Sequence, residues 1–119
     1  MKGNTYLKRP VDFARVHRQG KYLSHPLLVL KNLPNGLTYS RWGVAAGKKL
    51  GTAVVRNRIK RRLREILRQV TLGTGKDIVI IARSGARAAD FGDLRQAVVI
   101  LLEKGGLIRT DEITRPGSN

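Results

Sequence analysis

The chain has 119 residues, enough for one domain with a genuine core, and contains no cysteine, which excludes disulfides, thiol nucleophiles and thiolate metal sites together. Its 24 Lys and Arg face only eight Asp and Glu, a formal net charge of +16, and such an excess attracts polyanions at long range with strong salt dependence. Nucleic acid is the first partner this implies and an anionic membrane surface the second, but the apolar runs at 78–82 and 97–102 are far too short to span a bilayer, and no signal peptide or lipidation motif is visible.

Residues 1–9 are polar and basic and are expected to be flexible. From Pro10 a helix is predicted to run to Gly20, with Phe13, Val16 and His17 on one face, Asp12 in its first turn and Arg15 and Arg18 towards its end, the order the helix dipole favours. Residues 21–26 read as a polar connector, 27–30 (L-L-V-L) as a short buried strand, 32–38 as a turn built on Pro34-Asn35-Gly36, and 39–46 as a strand with Trp42, Val44 and Ala46 on one face. The two strands are expected to pair as an antiparallel hairpin with a long loop, with room for a third short strand nearby.

Residues 47–52 form a Gly-flanked basic loop, and Thr52 is the natural N-cap of a helix over 53–70. Val55, Ile59, Leu63, Ile66, Leu67 and Val70 fall within an arc of roughly 120° at 3.6 residues per turn, a stripe for burial. Opposite it, Asn57, Arg61, Arg64 and Arg68 form a column about one turn apart, flanked by Arg58 and Arg62. Nine of the chain's 24 Lys and Arg lie between 47 and 70 against the single acid Glu65. Stacked like charges repel by a few tenths of a kcal/mol per pair, and a helix kept only for solubility would carry more Glu. Guanidinium forks match phosphate oxygens in pairs, so a phosphate-binding face is the better reading than a solvated one.

Gly73 and Gly75 stop that helix, and 76–83 (K-D-I-V-I-I-A-R) reads as a central strand buried on both faces. A small-residue loop over 84–89 leads to Asp90, the cap of a third helix that carries Phe91, Leu94, Val98, Leu101 and Leu102 at helical spacing and ends at Gly105-Gly106. Residues 109–119 form a polar tail expected to be flexible. The order α-β-β-(β)-α-β-α gives an α+β fold, a single two-layer α/β sandwich, with no repeat, linker or second domain.

Protein-borne catalysis has no support in this pattern. His17 and His25 have no carboxylate at an orienting spacing, and the acids Asp12, Glu65, Asp77, Asp90, Asp93, Glu103, Asp111 and Glu112 are scattered. The G-T-G-K at 73–76 lacks the remaining residues of a phosphate loop. By composition alone, His17 and Phe13 read as core residues of an amphipathic helix, and Phe13 as a stacking platform only if a groove separates that helix from a sheet. Trp42, Tyr6, Tyr22 and Tyr39 form no pattern.

With these residues laid out, the sequence resembles the protein subunit of bacterial ribonuclease P. The resemblance is carried by R-W-G-V-A-A-G-K-K-L-G-T-A-V-V-R-N-R-I-K-R-R-L-R-E at 41–65, which holds the family's Arg-Asn-Arg motif at Arg56-Asn57-Arg58, and by L-K-R-P-V-D-F at 7–13, Gly20 and the strand at 76–83. It implies a left-handed β-α-β crossover through the Arg-rich helix, against the usual right-handed rule. It also implies RNA contacts from Lys48, Lys49, Arg56, Asn57, Arg58, Lys60, Arg61 and Arg64, to which the column adds Arg68. A cleft between the first helix and the sheet would bind the single-stranded 5′ leader of precursor tRNA, with Phe13 as its aromatic. His17 stands where many relatives have a second aromatic, and Leu30 where some carry Tyr.

The resemblance further implies a cytoplasmic, monomeric protein in a one-protein-one-RNA complex, whose catalysis resides in the RNA and its Mg²⁺, with no catalytic residue, metal ligand or tightly bound cofactor of its own. The alternatives are a ribosomal or other structured-RNA-binding protein without a processing role, and a protein-only nuclease.

Overall fold

A computed structural model describes residues 4–108. One five-stranded sheet organises them, in the order β1-β4-β5-β3-β2. The strands are β1 (Asn4–Tyr6), β2 (Lys21–Ser24), β3 (Leu28–Pro34), β4 (Ser40–Ala46) and β5 (Lys76–Ala82), and the helices are α1 (Pro10–Gln19), α2 (Ala53–Arg68) and α3 (Phe91–Lys104). Thr52 Oγ1 accepts from Val55 N at 3.3 Å to start α2. Asp90 and Asp93 start α3 by each accepting from the other's backbone N–H, a reciprocal capping box.

β5 is the centre, as its unbroken apolar run requires. It pairs antiparallel with β3 and parallel with β4, and β4 and β5 are joined through α2, the parallel β-α-β connection. The expected hairpin of β3 with β4 is therefore wrong: both flank β5, which arrives from 30 residues further along the chain and supplies an apolar partner to each. The hairpin that does form is β2 with β3, from Lys21↔Asn32 to Ser24↔Val29, so the polar connector is an edge strand. Residues 4–6, expected to be flexible, add β1 to the other edge, parallel to β4. Leu7 comes next, almost completely buried, its N–H donating to Trp42 O at 2.6 Å. The tail over 109–119 lies outside the described residues, as do residues 1–3.

The alternation of β5 divides the core. Ile78, Ile80 and Ala82 join Leu28, Leu30, Trp42 and Val44 under the stripe Ile59, Leu63, Ile66, Leu67 and Val70 of α2 and its following turn and under Leu94, Val98, Leu101 and Leu102 of α3. Val79 and Ile81 point the other way, into a smaller cluster with Leu7, Leu33 and the α1 residues Phe13 and Val16. The sheet with α2 and α3 forms the expected sandwich, and α1 crosses the sheet's other face. This second face is where the structure leaves room.

Candidate nucleic-acid interface

α1 is fastened at its N-terminal end by charge. Asp77, fully buried on β5, accepts from Arg41 Nε at 2.8 Å and Nη2 at 2.6 Å, from Arg15 Nη2 at 3.0 Å and from Asn35 Nδ2 at 2.9 Å. Asp12 accepts from Arg9 Nε at 3.1 Å, with Arg41 at 3.6 Å and Arg15 at 3.8 Å. The hydrogen bond from Arg9, helped by the charges of Arg41 and Arg15 and opposed by burial, holds the Asp12 carboxyl below its usual range. Two acids that look unrelated in the sequence, 65 residues apart, thus share Arg15 and Arg41. Asp12 serves this network as well as the helix dipole.

Further along α1 the helix stands off the sheet. The gap is a groove of about 430 Å³, walled by Phe13, Ala14 and His17 and floored by Ala45, Val79, Ile81 and Lys31. Gly43 on β4 makes room for it, because a Cβ there would overlap the Phe13 ring. His17 is not a core residue. It is exposed, and Lys31 Nζ lies 2.9 Å from its Nδ1 and 3.3 Å from its carbonyl oxygen. An ammonium can only donate, so in this contact Nδ1 is the acceptor.

Leu30 needs correcting. It is fully buried in the α2/α3 core, on the opposite face of the sheet from the groove. Strand alternation brings Lys31 to the groove instead, so the cleft position on this strand carries a cation. One residue of register along 27–31 decides this, and the short apolar run offered no means of choosing it.

At the end of β4 the groove opens onto a second recess of about 690 Å³, which shares Gly47 and Ile81 with it and is lined by Lys48, Lys49, Arg83 and Ser84. The loop at Lys48–Leu50 is a 3-10 turn anchored by buried Leu50 and exposing both lysines. It leads directly into α2. There Asn57, Arg61 and Arg68 are exposed, and Arg56, Arg58, Lys60, Arg62 and Arg64 are partly exposed. Among the described residues Lys48, Lys49, Arg56, Arg58, Lys60 and Arg61 form no ion pair, and the Nε atoms of Arg56 and Arg58 are shielded from solvent without a hydrogen-bond partner.

The column is not uniform. Arg64 Nε donates to Tyr6 Oη at 2.6 Å, and its guanidinium lies 5.5 Å from the Tyr6 ring centre. Tyr6 in turn meets Trp42 edge-on at 4.9 Å. Arg68 pairs with Glu65 at 3.3 Å on the surface, a contact worth little in water. Arg64 thus ties β1 to α2, and Arg61 is the column's free cation. Sequence reasoning missed Lys31 and Tyr6, because each acquires its role from a strand whose pairing is non-local.

No three His, Asp or Glu side chains converge among the described residues, and the two buried carboxylates among them, Asp12 and Asp77, are both paired with arginines. No helix among the described residues is long and apolar enough to cross a membrane.

An α+β sandwich with a basic helix face and an apolar groove beneath its first helix defines the class. The chain belongs to the ribonuclease P protein family: the family model described as "Ribonuclease P" matches residues 1–106. The chain is 39% identical over 110 residues to the ribonuclease P protein component of Caldanaerobacter subterraneus subsp. tengcongensis, covering 91% of this chain and 95% of that one. It is 42% identical over 109 residues to that of Herpetosiphon aurantiacus, covering 90% and 89%. Its fold is similar to the RNase P protein of Staphylococcus aureus, with a TM-score of 0.78 at 28% identity over 87% of this chain and 97% of that one. The RNase P protein of Thermotoga maritima gives a TM-score of 0.74 at 33% identity, over 83% and 96%.

Proposed function

We propose that this chain binds the catalytic RNA of ribonuclease P and the 5′ leader of precursor tRNA, and assists the endonucleolytic step that frees the mature tRNA 5′ end. The single observation that carries this reading is continuity: the groove beside Phe13 and His17 opens at Gly47 onto the unpaired lysines that begin the α2 face. A strand lying in the groove would pass directly to the surface that grips a folded RNA.

On the α2 side, Lys48, Lys49, Arg56, Asn57, Arg58, Lys60, Arg61, Arg64 and Arg68 contact phosphates. Their mutual repulsion and the unpartnered Nε atoms of Arg56 and Arg58 are relieved when anions arrive. In the groove, the Phe13 ring stacks on a base, His17 presents its Nε2, and Lys31, beneath it, supplies charge to the backbone. Stacking tolerates any base, so the leader is held with little sequence preference. Hydrolysis and Mg²⁺ belong to the RNA. The protein lowers the Mg²⁺ needed to bring two polyanions together, acting as a monomer with one RNA in the cytoplasm.

The test is precursor-tRNA cleavage at low Mg²⁺ by the catalytic RNA, with and without this protein, beside a protein-only lane. Correct cleavage that needs both components supports the reading. RNA binding without stimulation would instead leave a structured-RNA-binding protein without a processing role, and cleavage in the protein-only lane would place the chemistry in the chain itself.

A further inference from the structure

The groove floor continues beyond the groove. Residues paired across strands point to the same face, and the pairing Gly43↔Val79, Val79↔Lys31 and Lys31↔Tyr22 forms one row from β4 through β5 and β3 to β2. Phe13 lies over the first member of that row. Tyr22 is the last, on the sheet edge, paired with Lys31 of the groove floor. It is 59% exposed, and among the described residues its side chain makes no hydrogen bond or ring contact, whereas Tyr6 and Trp42 are engaged with each other. The fold does not use this ring.

From this row we infer that Tyr22 is a second stacking platform, taking a base of the leader after it has passed Lys31 and His17. The inference rests on the proposed leader groove. Three interstrand steps separate Gly43 from Tyr22, about 14 Å at roughly 4.8 Å each, several times the rise of about 3.4 Å between stacked bases. Phe13 and Tyr22 therefore hold non-adjacent bases, and the strand between them runs over Lys31, whose charge suits its phosphates. The platform acts only on leaders long enough to leave the groove.

The experiment measures precursor affinity of the reconstituted holoenzyme over a series of leader lengths for the unaltered protein, Tyr22→Ala, Tyr22→Phe and Phe13→Ala. Tyr22→Ala should weaken binding of long-leader precursors by about 5- to 150-fold, the range for loss of one base stack, and leave the shortest unaffected. Tyr22→Phe should bind like the unaltered protein, because the ring is kept. Phe13→Ala should weaken binding at shorter lengths as well.

A Tyr22→Ala loss equal at every length, or no loss while Phe13→Ala is impaired, would overturn the second platform and leave the groove reading standing. A Phe13→Ala variant that binds normally would remove the groove reading and the inference with it. Loss of self-association in Tyr22→Ala, seen by sedimentation and without a change in leader affinity, would show the edge to be a contact between copies and overturn the proposal.

Discussion

Replacing Asp77 by Asn isolates the charge that fastens α1. The carboxylate is fully buried and accepts four hydrogen bonds, three of them from the guanidiniums of Arg15 and Arg41. Asn keeps the volume but removes the charge and replaces one acceptor by a donor that faces those guanidiniums. Arg41 has a side chain only 19% exposed, so it cannot recover its hydration in place. Breaking a buried pair by removing one partner costs about 3–5 kcal/mol, a large share of the roughly 5–15 kcal/mol typical of a domain. With a urea slope of about 1–3 kcal/mol per M, the midpoint should fall by on the order of 2 M, read by circular dichroism. Arg15 and Asp12 sit on α1, so a stabilising osmolyte that restores the fold should leave weaker leader binding than the unaltered protein shows. A midpoint shift below about 0.5 M would mean that the network is solvated, and would refute the clamp.

Acid should act through Asp12. Its carboxyl is held below the ordinary value by the Arg9 hydrogen bond and the neighbouring arginines, so its contribution to stability is complete above the unfolded value of about 3.9 and is lost as pH falls through the lower folded value. Asp12→Asn should flatten that part of the acid limb, measured as urea midpoints from neutral pH downward. Arg61→Ala should lower the salt slope of RNA binding by about 0.7–0.9 without altering stability; an unchanged slope would remove Arg61 from the phosphate contacts. Arg64→Ala should lower both the salt slope and the stability, because it also releases Tyr6, and the sole tryptophan, Trp42, edge-on to that ring, should report the release by fluorescence. Gly43→Ala drives a methyl group into the Phe13 ring and should weaken leader binding in the holoenzyme while the RNA-face salt slope stays the same.

Much of the candidate site was legible because it is local. The α2 stripe and its arginine column are set by a period of 3.6 residues within one segment, and the Thr52 cap and the Asp90 cap arise from side chains that reach backbone groups three residues on. The central position of β5 could be read from its continuous apolar run, since a strand covered on both faces has no polar side to show. A basic helix face needs no tertiary partner to be recognised.

What the sequence by itself determined, then, is the helices, the central strand and the sign and place of the charge, all consequences of near-neighbour geometry. Tertiary structure alone decided which strands pair, and with that everything lying on the sheet's second face. Short strands carry no address: L-L-V-L and its neighbours could pair with one another or with β5, and a one-residue change of register exchanges Leu30 for Lys31 in the groove. The same non-local pairing brings Asp12 to Asp77 through shared arginines, recruits residues 4–6 to lay Tyr6 against Arg64, and sets Tyr22 in line with Phe13. Side chains far apart in the chain meet because the pairing of the strands makes them neighbours.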